Sequence, residues 1–338
     1  MTEPSDREDA SPAPRTPPEP LAPRYFSLTT FTIEGRRAPG LFVVGWLATL
    51  VGIGLTATVA LGVPGLPGLV LSLASLLALS VGLLLLAGSQ TMERRAVDAA
   101  YAGPSPLLVL LAVVAISRLV GFLVGLPLLA VADRIPVALG DLVAVLVQGV
   151  VFLGVVRLLI VGPGVLRWSE MGWVGARAQT LRALLGGAVF AGPVILVTSA
   201  VAFAAVSLAG VSPPSPLPPT GTLDGLVLHL AAGAVVAPAA EELLFRGFAL
   251  TAWRRVVGVR GAIIRSSIVF VLAHVLFVSG DTFAETVRVA LVAGLVRIPV
   301  ALALGWLFVR TGSIWGPIGL HAAFNGILIA IAETAARG

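Results

Sequence analysis

Cysteine is absent from the 338 residues, so disulfides, thiolate nucleophiles and cysteine-ligated metals are excluded. Lysine is absent as well, and all 22 basic residues are arginine. Charge of either sign is scarce: 12% of the residues are charged against 57% hydrophobic, with a mean hydropathy of +1.02. A soluble fold of this length cannot bury so much apolar surface, so the expected class is an all-α polytopic membrane protein. Residues 1–38 are polar and hold no apolar signal-peptide core. An isoelectric point near 11.0 would suggest nucleic acid for a soluble protein. Here the arginines flank apolar runs, where topology accounts for them, so the expected surroundings are a lipid bilayer and no nucleic acid.

Residues 1–24 are rich in Pro, Ser and acidic residues, and 1–38 as a whole is expected to be a disordered cytoplasmic tail. Apolar runs follow at about 40–63, 67–88, 106–131, 137–162, 183–210, 223–250, 262–279, 287–309 and 314–334. Each approaches the roughly 20 residues that cross a bilayer, which predicts a transmembrane bundle of eight or nine spans. The spans divide into an N-terminal set, 39–222, and a C-terminal core, 223–338. Connections are punctuated by PGLPG (64–68) and VSPPSPLPPTG (211–221). With the N-terminus inside, the inner segments hold Arg36, Arg37, Arg94, Arg95, Arg167, Arg177, Arg182, Arg254, Arg255, Arg260 and Arg310. The outer ones hold only Arg134, Arg288 and Arg337. This asymmetry predicts a multi-pass protein of the inner (plasma) membrane with a cytoplasmic N-terminus. Residues 163–182, with Trp168, Trp173 and three arginines, are expected to form a helix at the cytoplasmic interface.

Polar side chains inside the runs are the functional candidates. In EELLFR, residues 241 and 242 point about 100° apart on a helix, so the two glutamates are not expected to serve one target. Glu242 and Arg246 are i and i+4 with the acid first, the favourable order for an ion pair. Glu241 is left without a local partner. FVLAH places Phe270 and His274 one turn apart, and HAAFN does the same for His321 and Asn325. Counted from the inner span ends, Glu241, His274 and His321 lie about 14, 15 and 11 Å deep. Three helices of alternating direction thus bring Glu, His, His and Asn to one layer.

A carboxylate desolvated among apolar helices binds a proton more readily than one in water and can act as a general base. Histidines can orient that water, and an asparagine amide can donate to an oxyanion. The set therefore supports hydrolysis without a serine or cysteine nucleophile. Glu241, His274 and His321 equally form a common Zn²⁺ ligand set, so a zinc site stands beside the metal-free one. The HExxH signature is absent. His229, near the outer end of its span, is expected to be interfacial. Arg118, Asp141, Arg157 and Arg297 are expected to form bundle ion pairs or to snorkel.

In this order, Glu241-Glu242…Arg246, Phe270…His274 and His321…Asn325 resemble the CAAX prenyl protease and bacteriocin-processing (CPBP) family of intramembrane proteases. The resemblance covers about 230–326. It implies a helical fold with a conical membrane-embedded cavity open to the cytosol, and an endopeptidase acting on a membrane-associated protein or peptide. It also implies that Glu241 activates water, that His274, His321 and Asn325 hold the water and the oxyanion, and that Glu242 pairs with Arg246, with Phe270 in support. Two rival readings remain: a non-catalytic scaffold or regulator of the same fold, and a proton-coupled transporter. The transporter predicts repeats or paired broken helices, and none is visible.

Overall fold

A computed structural model of the chain describes residues 36–174, 177–213 and 215–338. The expected tail falls almost wholly outside these residues. No strand occurs among the described residues, and eight helices are long and apolar enough to cross a membrane. The longest covers 53 residues, Leu223–Val275, and Gly258 interrupts it with φ 73° and ψ −179°. A left-handed φ of this kind suits glycine and breaks the helix. The chain folds back there, so that Ser266 Oγ donates to the Phe245 carbonyl at 2.9 Å. The 53 residues are therefore two antiparallel stretches, which makes nine apolar crossings among the described residues.

The N-terminal hairpin is α1 (Pro39–Ala60) and α2 (Gly65–Ala96). Its helices approach closely through small residues: Ser75 Oγ donates to the Gly52 carbonyl at 3.0 Å and lies 2.6 Å from Thr56 Oγ1. Next come α3 (Pro106–Leu128) and α4 (Val137–Val156), then α5 (Arg177–Val189) and α6 (Ala191–Ala209). The expected interfacial helix over 163–182 is reduced to one 3-10 turn, Trp168–Met171, and the first turns of α5. The reason lies in the sequence around the turn: Gly162, Pro163 and Gly164 before it and Gly172 after it interrupt a helical run.

The C-terminal core is α7 (Leu223–Leu230), a π turn (Ala231–Val236), α8 (Ala237–Glu242) and a second π turn (Leu243–Leu250), all one continuous span. Pro238 lacks the N–H that would reach back to Ala234, and the turn before it widens. The span continues into α9 (Thr251–Val275), and α10 (Phe283–Thr311) and α11 (Trp315–Ala335) complete the core. A β-carbon on Gly187 would collide with the Gly316 carbonyl, and one on Gly319 with that of Leu184. These glycines let α5 lie against α11 backbone to backbone, fixing the helix that carries His321.

Two sets of contacts define the ends of the bundle. At one, Arg94 donates to the Gly103 carbonyl, Arg95 to that of Pro163, and Arg255 pairs with Glu170 at 2.6 Å. Ile314 N donates there to the Gly172 carbonyl, and Trp173 meets Trp315 edge-on. This is the arginine-rich end. At the other, Glu333 accepts from the backbone of Thr220 and Gly221 and from His229, while Arg337 donates to the Thr222 carbonyl.

Candidate active site

Glu242 and Arg246 are wholly buried, and Arg246 Nη1 donates to Glu242 Oε1 at 3.1 Å. Arg246 Nη2 donates to the Ala301 carbonyl at 3.1 Å, and its guanidinium carbon stands 4.4 Å from the centre of the Phe270 ring. The pair thus ties its own span to α10 and α9. Phe270 packs edge-on against Phe245 and against His321, with ring centres 5.2 and 5.9 Å apart. It also stacks at a tilt on His274, 4.4 Å away.

Glu241 points elsewhere, as the 100° offset requires. Its side chain keeps 16% exposure against none for Glu242, and Oε2 has no hydrogen-bond partner. Two imidazoles face that oxygen: His274 Nε2 at 3.5 Å and His321 Nε2 at 4.0 Å. The other nitrogen of each ring fixes its tautomer. His274 Nδ1 lies 2.7 Å from the Phe270 carbonyl, which can only accept. His321 Nδ1 lies 2.9 Å from Glu242 Oε1, which accepts as a carboxylate. Both Nδ1 atoms therefore carry a proton, and in the neutral imidazole each Nε2 presents its lone pair toward Glu241.

The expectation that the glutamates serve separate targets needs correction. They do point apart, yet His321 bridges them, taking Glu242 with one nitrogen and facing Glu241 with the other. Asn325, one turn on, donates Nδ2 to the Gly233 carbonyl at 2.9 Å, in the π turn. Its second amide hydrogen has no such commitment.

Glu241, His274, His321, Asn325 and Arg297 line one cavity of about 630 Å³. From this layer it runs to Pro213, Leu217 and Pro219, at the end opposite the arginine-rich one. A larger cavity of about 1180 Å³, lined mainly by leucines and valines of α3 and α4, shares Gln148, Phe152, Phe245 and Ala273 with the first. It holds none of the titratable motif residues.

His229, at the end of the bundle, is buried in protein. It is 1% exposed, with Nδ1 2.7 Å from Glu333 Oε1 and Nε2 3.2 Å from Asp141 Oδ2. Asp141 is thus a hydrogen-bond partner within the bundle. Arg118 lies over the Phe277 ring at 3.6 Å. Arg297 is neither paired nor at a span end. No group of three or more His, Asp or Glu with metal-site spacing occurs among the described residues. No step below passes through a metal.

No curated protein and no solved structure matches the chain. Over residues 222–327, which hold all three motifs and both π turns, the chain matches the family model described as Type II CAAX prenyl endopeptidase Rce1-like, in keeping with the family that the motifs resemble.

Proposed function

We propose that this chain is an intramembrane endopeptidase in which Glu241 activates the attacking water. The family match supports a CAAX-type intramembrane protease in general. The observation that carries the mechanism is the convergence on Glu241 Oε2, without a hydrogen-bond partner, of two Nε2 atoms that are acceptors in the neutral imidazoles. Such a set repels itself unless a donor sits among its members. A water molecule supplies two hydrogens, one to Glu241 and one to an imidazole, and keeps a lone pair for attack.

Attack on the peptide carbonyl forms the C–O bond as the water proton passes to Glu241. The carbonyl oxygen takes the negative charge and accepts the free N–H of Asn325. Collapse breaks the C–N bond, and Glu241 returns its proton to the leaving amine. With both Nδ1 atoms engaged as donors, the histidines hold the water rather than the oxyanion. Glu242 and Arg246 position His321. The adjoining apolar cavity suits a substrate that is itself in the membrane.

The arginine asymmetry supports a cytoplasmic N-terminus and a cytoplasmic arginine-rich end. Substrate then enters from the extracytoplasmic end, past the 210–222 segment. The test is a comparison of membrane proteomes from cells carrying wild type or Glu241→Ala. Peptide ends that vanish in the variant support the proposal; identical sets of ends at equal expression reject it.

A further inference from the structure

The mechanism leaves one charge in the cavity without a task. Arg297 is fourteen residues from each end of α10 (297 − 283 and 311 − 297), or about 21 Å along the axis. In a hydrocarbon core of about 30 Å the middle of this helix lies about 15 Å from either face, beyond the reach of an arginine side chain. Nor is it paired: Nη1 donates to the Ala293 carbonyl at 2.8 Å, and no carboxylate lies within 4.0 Å among the described residues. The buried Arg246, by contrast, is neutralised by Glu242.

Arg297 lines the same cavity as Glu241, His274 and His321. We propose that it is a binding residue for a carboxylate of the substrate, above all the free α-carboxylate of a peptide. The guanidinium has five N–H groups, and the Ala293 carbonyl takes one, so a forked contact with a carboxylate remains open. A guanidinium at mid-span is costly; attraction to Glu241 in the same cavity offsets only part of that cost, and an incoming anion offsets more. Lipid phosphates stay at the interface, far from this depth. An α-carboxylate arrives with any apolar peptide end, whereas a side-chain carboxylate must itself be brought into the membrane. The walls beside Arg297, Val296, Val300, Phe324 and Leu328, suit apolar residues next to such an end.

This inference rests on the cavity accepting peptides, as the protease reading holds. It is tested by binding, so that its fate separates from that of catalysis. The probes are fluorescent Ala-Val-Leu-Leu as the free acid, the same peptide as the C-terminal amide, and Ala-Glu-Leu-Leu amide. Each is titrated into the purified full chain while cleavage is followed in the same samples. The free acid should bind about ten- to a hundred-fold more tightly than its amide. Arg297→Gln should abolish that preference, and Arg297→Lys should keep part of it, with charge but no fork. Tight, Arg297-dependent binding of the glutamate-bearing amide also supports the site, with a side chain as the source of the carboxylate. Equal binding of all probes, no binding, or an acid preference that survives Arg297→Gln overturns it. A preference without cleavage of any probe keeps the carboxylate site and counts against the proteolytic reading alone.

Discussion

Replacing Glu242 by Gln keeps its shape and removes its charge. In the folded chain Arg246 then stands wholly buried beside a neutral amide, with the Ala301 carbonyl as its remaining polar contact. Breaking a buried pair by removing one partner costs about 3–5 kcal/mol, because the other charge stays behind. Removing both is far milder, since the desolvation cost of each ion disappears with it. Arg246→Met alone should therefore destabilise by a similar amount, while Glu242→Gln/Arg246→Met should lose less than either single variant. The expected coupling is several kcal/mol of opposite sign to the single losses. Thermal and denaturant unfolding of the four purified proteins in one detergent measures it. A Glu242→Gln protein as stable as wild type, or a double variant as unstable as the sum of the singles, would refute the brace. The variant should also lose activity beyond its stability loss. A glutamine amide can donate to His321 Nδ1, which moves the imidazole proton to Nε2, where the water needs an acceptor.

Single cysteines are easily added to a chain that has none. Leu217→Cys and Asp281→Cys should react with an impermeant maleimide from one side of the membrane, and Asp98→Cys and Val256→Cys from the other, with the latter pair cytoplasmic. Labelling of positions 217 and 256 from the same side would undo the arrangement of the cavity. Outside the spans, the Glu170 carboxyl is held below its usual range, first by the backbone N–H of Arg167 and then by Arg255. A depressed carboxylate contributes stability above its unfolded pKa, about 4.3, and loses it as pH falls through the lower folded value. Glu170→Gln should therefore flatten the pH dependence of the melting temperature below about pH 4.5; an unchanged profile would show that the Arg255–Glu170 contact does not hold this end together.

Much of this architecture was legible in the sequence, for reasons that particular residues make plain. Hydrophobic runs set span number, because each crossing must satisfy its own backbone. The Glu242–Arg246 brace and the isolation of Glu241 follow from helical angles alone, and they survive because the pair straddles only the first turn of the π segment. Depth counting brought Glu241, His274 and His321 to one layer, and they meet there. The sequence does not give rotation between helices. That His321 reaches Glu242 as well as Glu241 depends on how α11 turns against α8. Whether Arg297 faces lipid, a partner or a cavity depends on the rotation of α10. That Glu333, 104 residues away, holds His229 is beyond any local spacing. The reach of the cavity to Pro213, Leu217 and Pro219 likewise depends on how the helices pack.

The central claim is that Glu241 is the base and that Glu242 is not. Its most direct measurement is the cleavage rate of one substrate, found from the proteome comparison, by purified wild type and Glu241→Gln at matched melting temperature. The account predicts a rate about 10²–10⁴-fold lower for Glu241→Gln, with the same fold and the same apparent affinity for the peptide. Cleavage at the wild-type rate by a folded Glu241→Gln protein would contradict it.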